Sequence, residues 1–296
     1  MIHAVVLQPH GRMVIGGSFT EVHGVARNNL ARLRANGSID PGFGTGSGVD
    51  GTVWSVARQA QRQFIIGGEF FQVDGASRTR IARLRHDGSN DPGFDPRAGA
   101  NNTVYAVAAQ TDGKVLLGGF FTQVNGIDRR GIARLNPDGS VDMDFDPGTG
   151  IDGSFVSALA VQTNGQILIQ GSFNYVNGEY HPGLARLETT GALDPTFSPG
   201  DGYSYSFQMA LAPDGGLFVG GGNRIVSLTP DAFEASSFYL PGGNIYAVAL
   251  QPDGSLLAGG NFNFFDGVVQ RVNLLWLRPD FSLDASFDPG AGMPQV

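Results

Sequence analysis

Residues 106–150 read AVAAQTDGKVLLGGFFTQVNGIDRRGIARLNPDGSVDMDFDPGTG, and the fold turns on whether this is a metal site or one copy of a repeat. Its end spaces Asp142, Asp144 and Asp146 two apart between glycine-bearing turns, in the manner of a calcium loop. Aligning the chain with itself decides the matter. AVVLQPHGRMVIGGSF, SVARQAQRQFIIGGEF, AVAAQTDGKVLLGGFF, ALAVQTNGQILIQGSF, MALAPDGGLFVGGG and AVALQPDGSLLAGGNF are variants of one segment. Their anchor positions Gln8, Gln59, Gln110, Gln162, Ala212 and Gln251 lie 51, 51, 52, 50 and 39 residues apart. The chain is therefore six copies of one unit, with the fifth shortened.

Each copy reads as two hairpins. In the third, VYAVAAQ and KVLLGG flank TDG, and GIARLN and SVDMDF flank PDG. Short apolar runs between turn residues argue for strands, and the x-D-G turns suit a type I turn followed by a left-handed glycine. Four strands in about 50 residues is the arithmetic of a propeller blade; a β-solenoid coil usually needs a shorter period. The expected fold is all-β: one six-bladed β-propeller domain over 1–296, four antiparallel strands per blade, blade five shortened. The blades fall at about 1–51, 52–102, 103–153, 154–203, 204–244 and 245–296.

With Pro137-Asp138-Gly139 as the loop, Arg134 faces Asp142, and the same eight-residue separation recurs in Arg32/Asp40, Arg83/Asp91 and Arg186/Asp194. These pairs are expected to be structural cross-strand salt bridges of about 0.2–1 kcal/mol each. The pair fails in blade five, where Ser227 replaces arginine, and in blade six, where Trp276 stands opposite Asp284. Strand alternation puts Asp142, Asp144 and Asp146 on one face, but Asp144 becomes Gly42, Gly93, Thr196 or Ala285 elsewhere and no ligand-rich loop ending in glutamate follows. No metal or other cofactor is expected.

Composition narrows the class. The chain's 296 residues include 45 glycines and 16 prolines but are 41% hydrophobic, too apolar for a linker and without a collagen period. A net charge of −8 argues against nucleic acid as a partner. No apolar run approaches a membrane span, so no membrane insertion is expected. The absence of cysteine excludes disulfides, thiolate metal sites and cysteine nucleophiles. The start MIHAVVLQPHG lacks the charged head and long apolar core of a secretory leader.

The unit's consensus, V-x-A-V-x-x-Q-x-D-G-K-x-L-x-G-G-x-F-x-x-V-N-G-x-x-R-x-x-I-A-R-L-x-x-D-G-S-x-D-x-x-F-D-P-G, resembles the bacterial delta-60 repeat family over almost the whole chain. The glycine pairs are a weaker likeness to kelch blades, and the double hairpin to NHL blades. The delta-60 resemblance implies a β-propeller from a large secreted or surface-attached bacterial protein, and brings no catalytic residues across. Two departures stand out. GGGNRIVSL in blade five runs almost directly from second strand to third, without the F-x-x-V-N-G-x-x-R loop. The chain also begins at a first strand and ends after a fourth, so closure is expected to rest on packing of blade six against blade one, or the chain is a module of a longer protein.

In a four-stranded blade, the second-to-third loop and the blade-to-blade loop emerge at one end. Phe19, Phe70, Phe121, Phe173 and Phe262 recur there and read as loop anchors; Gly24, Gly75, Gly126, Gly178 and Gly267 read as positive-φ turn residues. Arg27, Arg78, Arg129 and Arg271 also align, with His181 in blade four, forming either an anion-attracting crown or a set of loop struts. Six of seven tyrosines fall between 175 and 246, where the lost loop of blade five should leave a notch. The candidate ligand residues are Tyr180, His181, Asp201, Tyr203, Tyr205, Asn223 and Arg224, rings to stack on a sugar and polar groups to orient it. The alternative is that these aromatics fill missing loop volume.

Enzyme signatures are sparse: no HExxH, no G-x-S-x-G elbow, and glycine pairs that end strands rather than open helices. Carboxylates from different blades could still converge. The expected function is a non-catalytic module of a secreted or cell-surface protein, recognising a glycan or protein through one propeller face. The alternatives are a purely architectural repeat and a propeller hydrolase or lyase.

Overall fold

The computed structural model describes residues 1–44, 46–201, 203, 206–265 and 270–289, excepting the side chains of 206 and 207. Tyr205 and Gly267 lie outside the described residues. The chain forms two compact units, Met1–Leu159 with Thr190–Ala192 and Ala160–Thr189 with Leu193–Val296. Among the described residues no helix is long and apolar enough to cross a membrane.

In the first unit, repeats one to three each build a three-stranded antiparallel sheet in sequence order. The first strands are Ile2–Leu7, Thr52–Arg58 and Val104–Ala109; the second, Met13–Gly17, Phe64–Glu69 and Val115–Gly119; the third, Leu30–Leu33, Ile81–Leu84 and Ile132–Leu135. Between second and third strands stands a two-stranded ribbon, such as Gln123–Val124 with Ile127–Asp128. Its two-residue turns have both φ values positive, at His23-Gly24, Asp74-Gly75 and Asn125-Gly126, which is the hairpin turn that matches strand twist.

The expected fourth strand is reduced. After the turn at Gly139 (φ 92°), one bridge joins Leu135 to Val141 and the chain then leaves the sheet. Single bridges at Leu33/Ile39 and Leu84/Asn90 repeat this. The cause is local. Asp142 Oδ1 accepts the N–H of Asp144 at 3.1 Å, and Phe145 turns inward to complete burial. Asp142, Asp144 and Asp146 therefore share no strand face, contrary to the alternation expected: Asp142 is buried and the other two are exposed. Asp146 instead accepts the N–H of Gly148 at 2.9 Å.

The second unit contains the second and third strands of repeat four (Ile167–Ser172, Leu184–Leu187) and the sheets of repeats five and six. Among the described residues, repeat five, shortest in sequence, is the one with four regular strands: Ser206–Leu211, Leu217–Gly221, Arg224–Leu228 and Glu234–Tyr239. It lacks the D-x-x-F turn, so its last segment continues as strand.

The glycine pairs explain how repeats stack. A Cβ on Gly67 would lie 2.7 Å from Val104 Cγ1 and 2.8 Å from Val107 Cγ1 of the next repeat; Gly118 meets Val156 likewise at 2.7 Å. The second glycine faces a β-bulge in its own first strand, at Ile2/Ala4, Val53/Ser55 and Val104/Ala106, where a carbonyl fills the place of a side chain. Apolar clusters accordingly bridge consecutive repeats: Val14, Leu30 and Phe43 pack with Phe64, Ile66 and Phe70, and Ile65 and Ile81 with Val104, Leu117 and Phe121. No single repeat closes its own core, as in other stacked architectures.

The arginine–aspartate pairs are formed in all four places, Nε to Oδ2 at 2.9, 2.7, 2.6 and 2.7 Å. They are buried rather than surface pairs, with Arg134 7% and Asp142 3% exposed. Each guanidinium also lies 4.7–5.1 Å over a buried phenylalanine ring (Phe43, Phe94, Phe145, Phe197). Arg32 donates further to His86 O, Arg83 to Pro137 O and Arg186 to Pro230 O, all in the following repeat. Where Trp276 replaces the arginine, its ring packs 5.3 Å from Phe287.

Burial opposes ionisation of Asp142, but hydrogen bonds from Lys114 and Arg134 outweigh it and hold the carboxyl below its ordinary range. Asp40, Asp91 and Asp194 are also depressed against the opposing effect of burial, first by hydrogen bonds from Gly42, Gly93 and Thr196 and then by their arginines. A carboxyl depressed on folding stabilises fully above its unfolded value, near pH 4, and loses that contribution as pH falls through the folded value. These carboxylates' contribution to the urea midpoint is expected to be flat from pH 7 to about 5 and to fall steeply below about 4. Asp142→Asn should start lower and lose less between these limits; an unchanged pH profile in that variant would contradict the clamp's role.

Candidate functional site

The ribbon end of the first unit carries the richest surface. His3, Trp54 and Tyr105 occupy the bulged position of their first strands, five residues before Gln8, Gln59 and Gln110. A bulge re-aims one side chain out of alternation. The rings consequently meet across repeats: His3–Trp54 centroids are 4.1 Å apart, Trp54–Tyr105 5.8 Å and Tyr105–Phe155 5.2 Å. Phe155 joins from two residues upstream of the equivalent position, which is Ser157 in repeat four. All four rings are part-exposed.

Glu69 flanks this ladder. It accepts from Thr103 Oγ1 at 3.1 Å and, after burial, is the next influence raising the Tyr105 pKa. Burial and the terminal ammonium lower the His3 pKa, with Glu69 opposing. Near Phe155, at its neighbour Ser154, a cavity of about 180 Å³ opens, lined also by Asn101, Asn102, Phe120, Phe121, Thr122 and Arg130. Asn101 is held firmly: its Oδ1 accepts the N–H groups of Thr122 and Gln123, and its Nδ2 donates to Thr122 Oγ1 at 2.8 Å. Arg130 is exposed and has no ion-pair partner among the described residues. The set offers ring faces, amides, a hydroxyl and one cation.

The sequence-derived candidates are placed differently. Arg27, Arg78, Arg129 and Arg271 each donate Nη1 to the carbonyl of the preceding residue at 2.7–2.9 Å. Arg129 and Arg271 are buried, as is His181, whose pKa is lowered by burial with Glu179 opposing. Arg78 also donates Nε to Asn90 Oδ1 at 3.1 Å. These side chains serve their own loops.

Around repeat five, Tyr180 is exposed, sits 5.5 Å from the Tyr175 ring, and hydrogen-bonds Asp201, whose charge raises its pKa. Tyr203 is only 4% exposed and packs with Leu217, Val226 and Ala232, so it fills core rather than presenting a ring. Arg224 pairs with Glu234 and lies 5.6 Å over Tyr239. Asn223 is exposed, with its carbonyl accepting Leu240 N at 2.8 Å. The structure thus joins Tyr180 to Asp201 and sets Tyr203 inside. The aromatic ladder escaped sequence reading, although a comparison five residues before each anchor would have shown His3, Trp54, Tyr105, Phe207 and Tyr246.

Repeating antiparallel sheets stacked through glycine–valine contacts define a β-propeller repeat protein. The chain belongs to the family described as "Domain of unknown function (DUF5122) beta-propeller", whose model matches residues 8–43, 64–94, 110–145, 162–197 and 251–287. The matches pass over the shortened fifth repeat and agree with the resemblance to delta-60 repeats. A search of curated proteins finds no match. Similar solved structures include the extracellular domain of the putative one component system BT4673 from B. thetaiotaomicron, 13% identical with a TM-score of 0.60. That alignment covers 96% of this chain and 35% of that one, so the chain spans about a third of that relative's length. The WD40 β-propeller domain of Doa1 is 16% identical at TM-score 0.62, covering 88% and 75%. YCF48 bound to D1 peptide is 14% identical at TM-score 0.57, covering 96% and 82%. These likenesses carry fold alone.

Proposed function

We propose that the six repeats form six blades of one propeller, the outer edge finished by the bridge segment or, in repeat five, by a regular fourth strand, and that the protein is a non-catalytic binding module for a carbohydrate. The observation that carries this is the ladder of part-exposed rings at the ribbon end of the first unit, where a cavity with amide, hydroxyl and guanidinium groups in its lining also opens. Sugars combine apolar ring faces with dense hydroxyl edges, and a run of aromatic faces next to fixed amides and hydroxyls answers both. We place the ligand here rather than at the repeat-five tyrosines because Tyr203 is internal and Arg224 is already paired. The resemblance of the repeats to the delta-60 family supports a secreted or cell-surface setting within a larger protein.

A broad glycan array followed by fluorescence titration tests the reading. Only Trp54 and Trp276 contribute indole emission, and a bound sugar should change that of Trp54 saturably. Trp54→Ala and Tyr105→Ala are each expected to weaken binding about tenfold or more, while Tyr180→Ala leaves it unchanged. Absence of any saturable glycan, or undiminished binding in both ladder variants, removes the proposal.

A further inference from the structure

The turn end of the first unit, opposite the ribbons, holds a cavity of about 300 Å³ whose wall is cationic. Arg12, Arg58, Arg62, His10 and His86 line it, with Arg32 among the lining residues. In a chain of net charge −8 this is a local reversal. Arg32 is spent on Asp40 and on His86 O, and Arg12 approaches the same carboxylate at 3.9 Å. Asp87, next to His86, is engaged by Ser89. Arg58 and Arg62 are exposed and have no ion-pair partner among the described residues.

The cations depart from the repeat in one direction. Arg58 stands where the other copies have Leu7, Ala109, Val161, Leu211 and Leu250. His10 and Gln61 replace the turn residues Asp112, Asn164, Asp214 and Asp253. Arg62 takes the place of a turn glycine (Gly11, Gly113, Gly165, Gly215, Gly254) and adopts φ 62° to do so. A long side chain in the left-handed region is unfavourable for the fold. The two repeats that border the cavity thus carry none of the turn carboxylates found in repeats three, five and six, and one of them accepts backbone strain to present a guanidinium.

We propose that this cavity is a second binding site, distinct from the aromatic ladder, for a small molecule carrying a phosphate or sulfate monoester. Guanidinium groups are planar forks suited to tetrahedral oxyanions, and gathering several around one concavity adds their fields there. The volume exceeds that of a bare oxyanion and accommodates one attached sugar-sized group.

Calorimetric titration at low salt with glucose 6-phosphate and glucose 6-sulfate, and with glucose as the neutral control, tests the site. One ester should bind saturably at one site per chain, the stronger of the two naming the ester, and glucose should not compete. Arg58→Gln and Arg62→Gly are each expected to weaken binding about tenfold, while Trp54→Ala leaves it intact. Arg62→Gly restores the residue of the other repeats, so it should raise the thermal midpoint while losing affinity. Saturable binding by neither ester, or full affinity in Arg62→Gly with its fold intact, overturns the proposal.

Discussion

Arg134→Ala is expected to lower the unfolding free energy by about 2–3 kcal/mol, somewhat less than stranding a buried charge outright because Lys114 remains on Asp142. Asp142 would keep Lys114 at 2.9 Å but lose the guanidinium at 2.6 Å, and the Phe145 ring would lose its cation. Arg278→Ala is the internal comparison. Arg278 approaches Asp284 at 3.2 Å with a side chain 53% exposed, so its loss should cost less than about 1 kcal/mol. Urea unfolding of the two variants measures the contrast. Equal effects would mean that the buried pairs are ordinary cross-strand decoration.

Gly119→Ala is expected to cost about 3 kcal/mol or more, or to prevent folding. The new methyl group would fall within contact distance of the Thr103 carbonyl oxygen and 3.0 Å from Val104 Cα, both backbone atoms of the bulge. Neither can rotate away. Gly126→Ala offers the opposite situation: φ is 74° and nothing lies within 4 Å. Its cost is conformational only, about 1 kcal/mol. Thermal melts should separate the two variants clearly; a mild Gly119→Ala would show that the bulge can relax.

Much of this was legible in the residues. Spacing at Gln8, Gln59 and Gln110 revealed the repeat, x-D-G the turns, and the eight-residue Arg–Asp separation the pairs. Each of these is a local pattern, set by chemistry within a few residues. What escaped depends on register and on neighbours. Unbroken alternation puts Asp142, Asp144 and Asp146 on one face and gives no sign of the bulge that aims Trp54 and Tyr105. A hairpin alone makes Arg134–Asp142 a cross-strand pair and does not show that a phenylalanine and the next repeat enclose it. Burial of Tyr203 was likewise invisible, since a tyrosine beside a shortened loop fits a notch or a core equally well.

The clamp between repeats has a consequence for how such chains change in length. Arg32 reaches His86, Arg83 reaches Pro137 and Gln59 reaches Gly113, each across 54 positions. Donor and acceptor therefore recur with the same step, and all three acceptors are main-chain carbonyls that any residue supplies. A tandem duplication of one unit brings its own hook and its own eye, in register with the copies on either side. Copy number can then grow or shrink without inventing a new interface, leaving side chains such as Trp54 and Arg62 free to diverge.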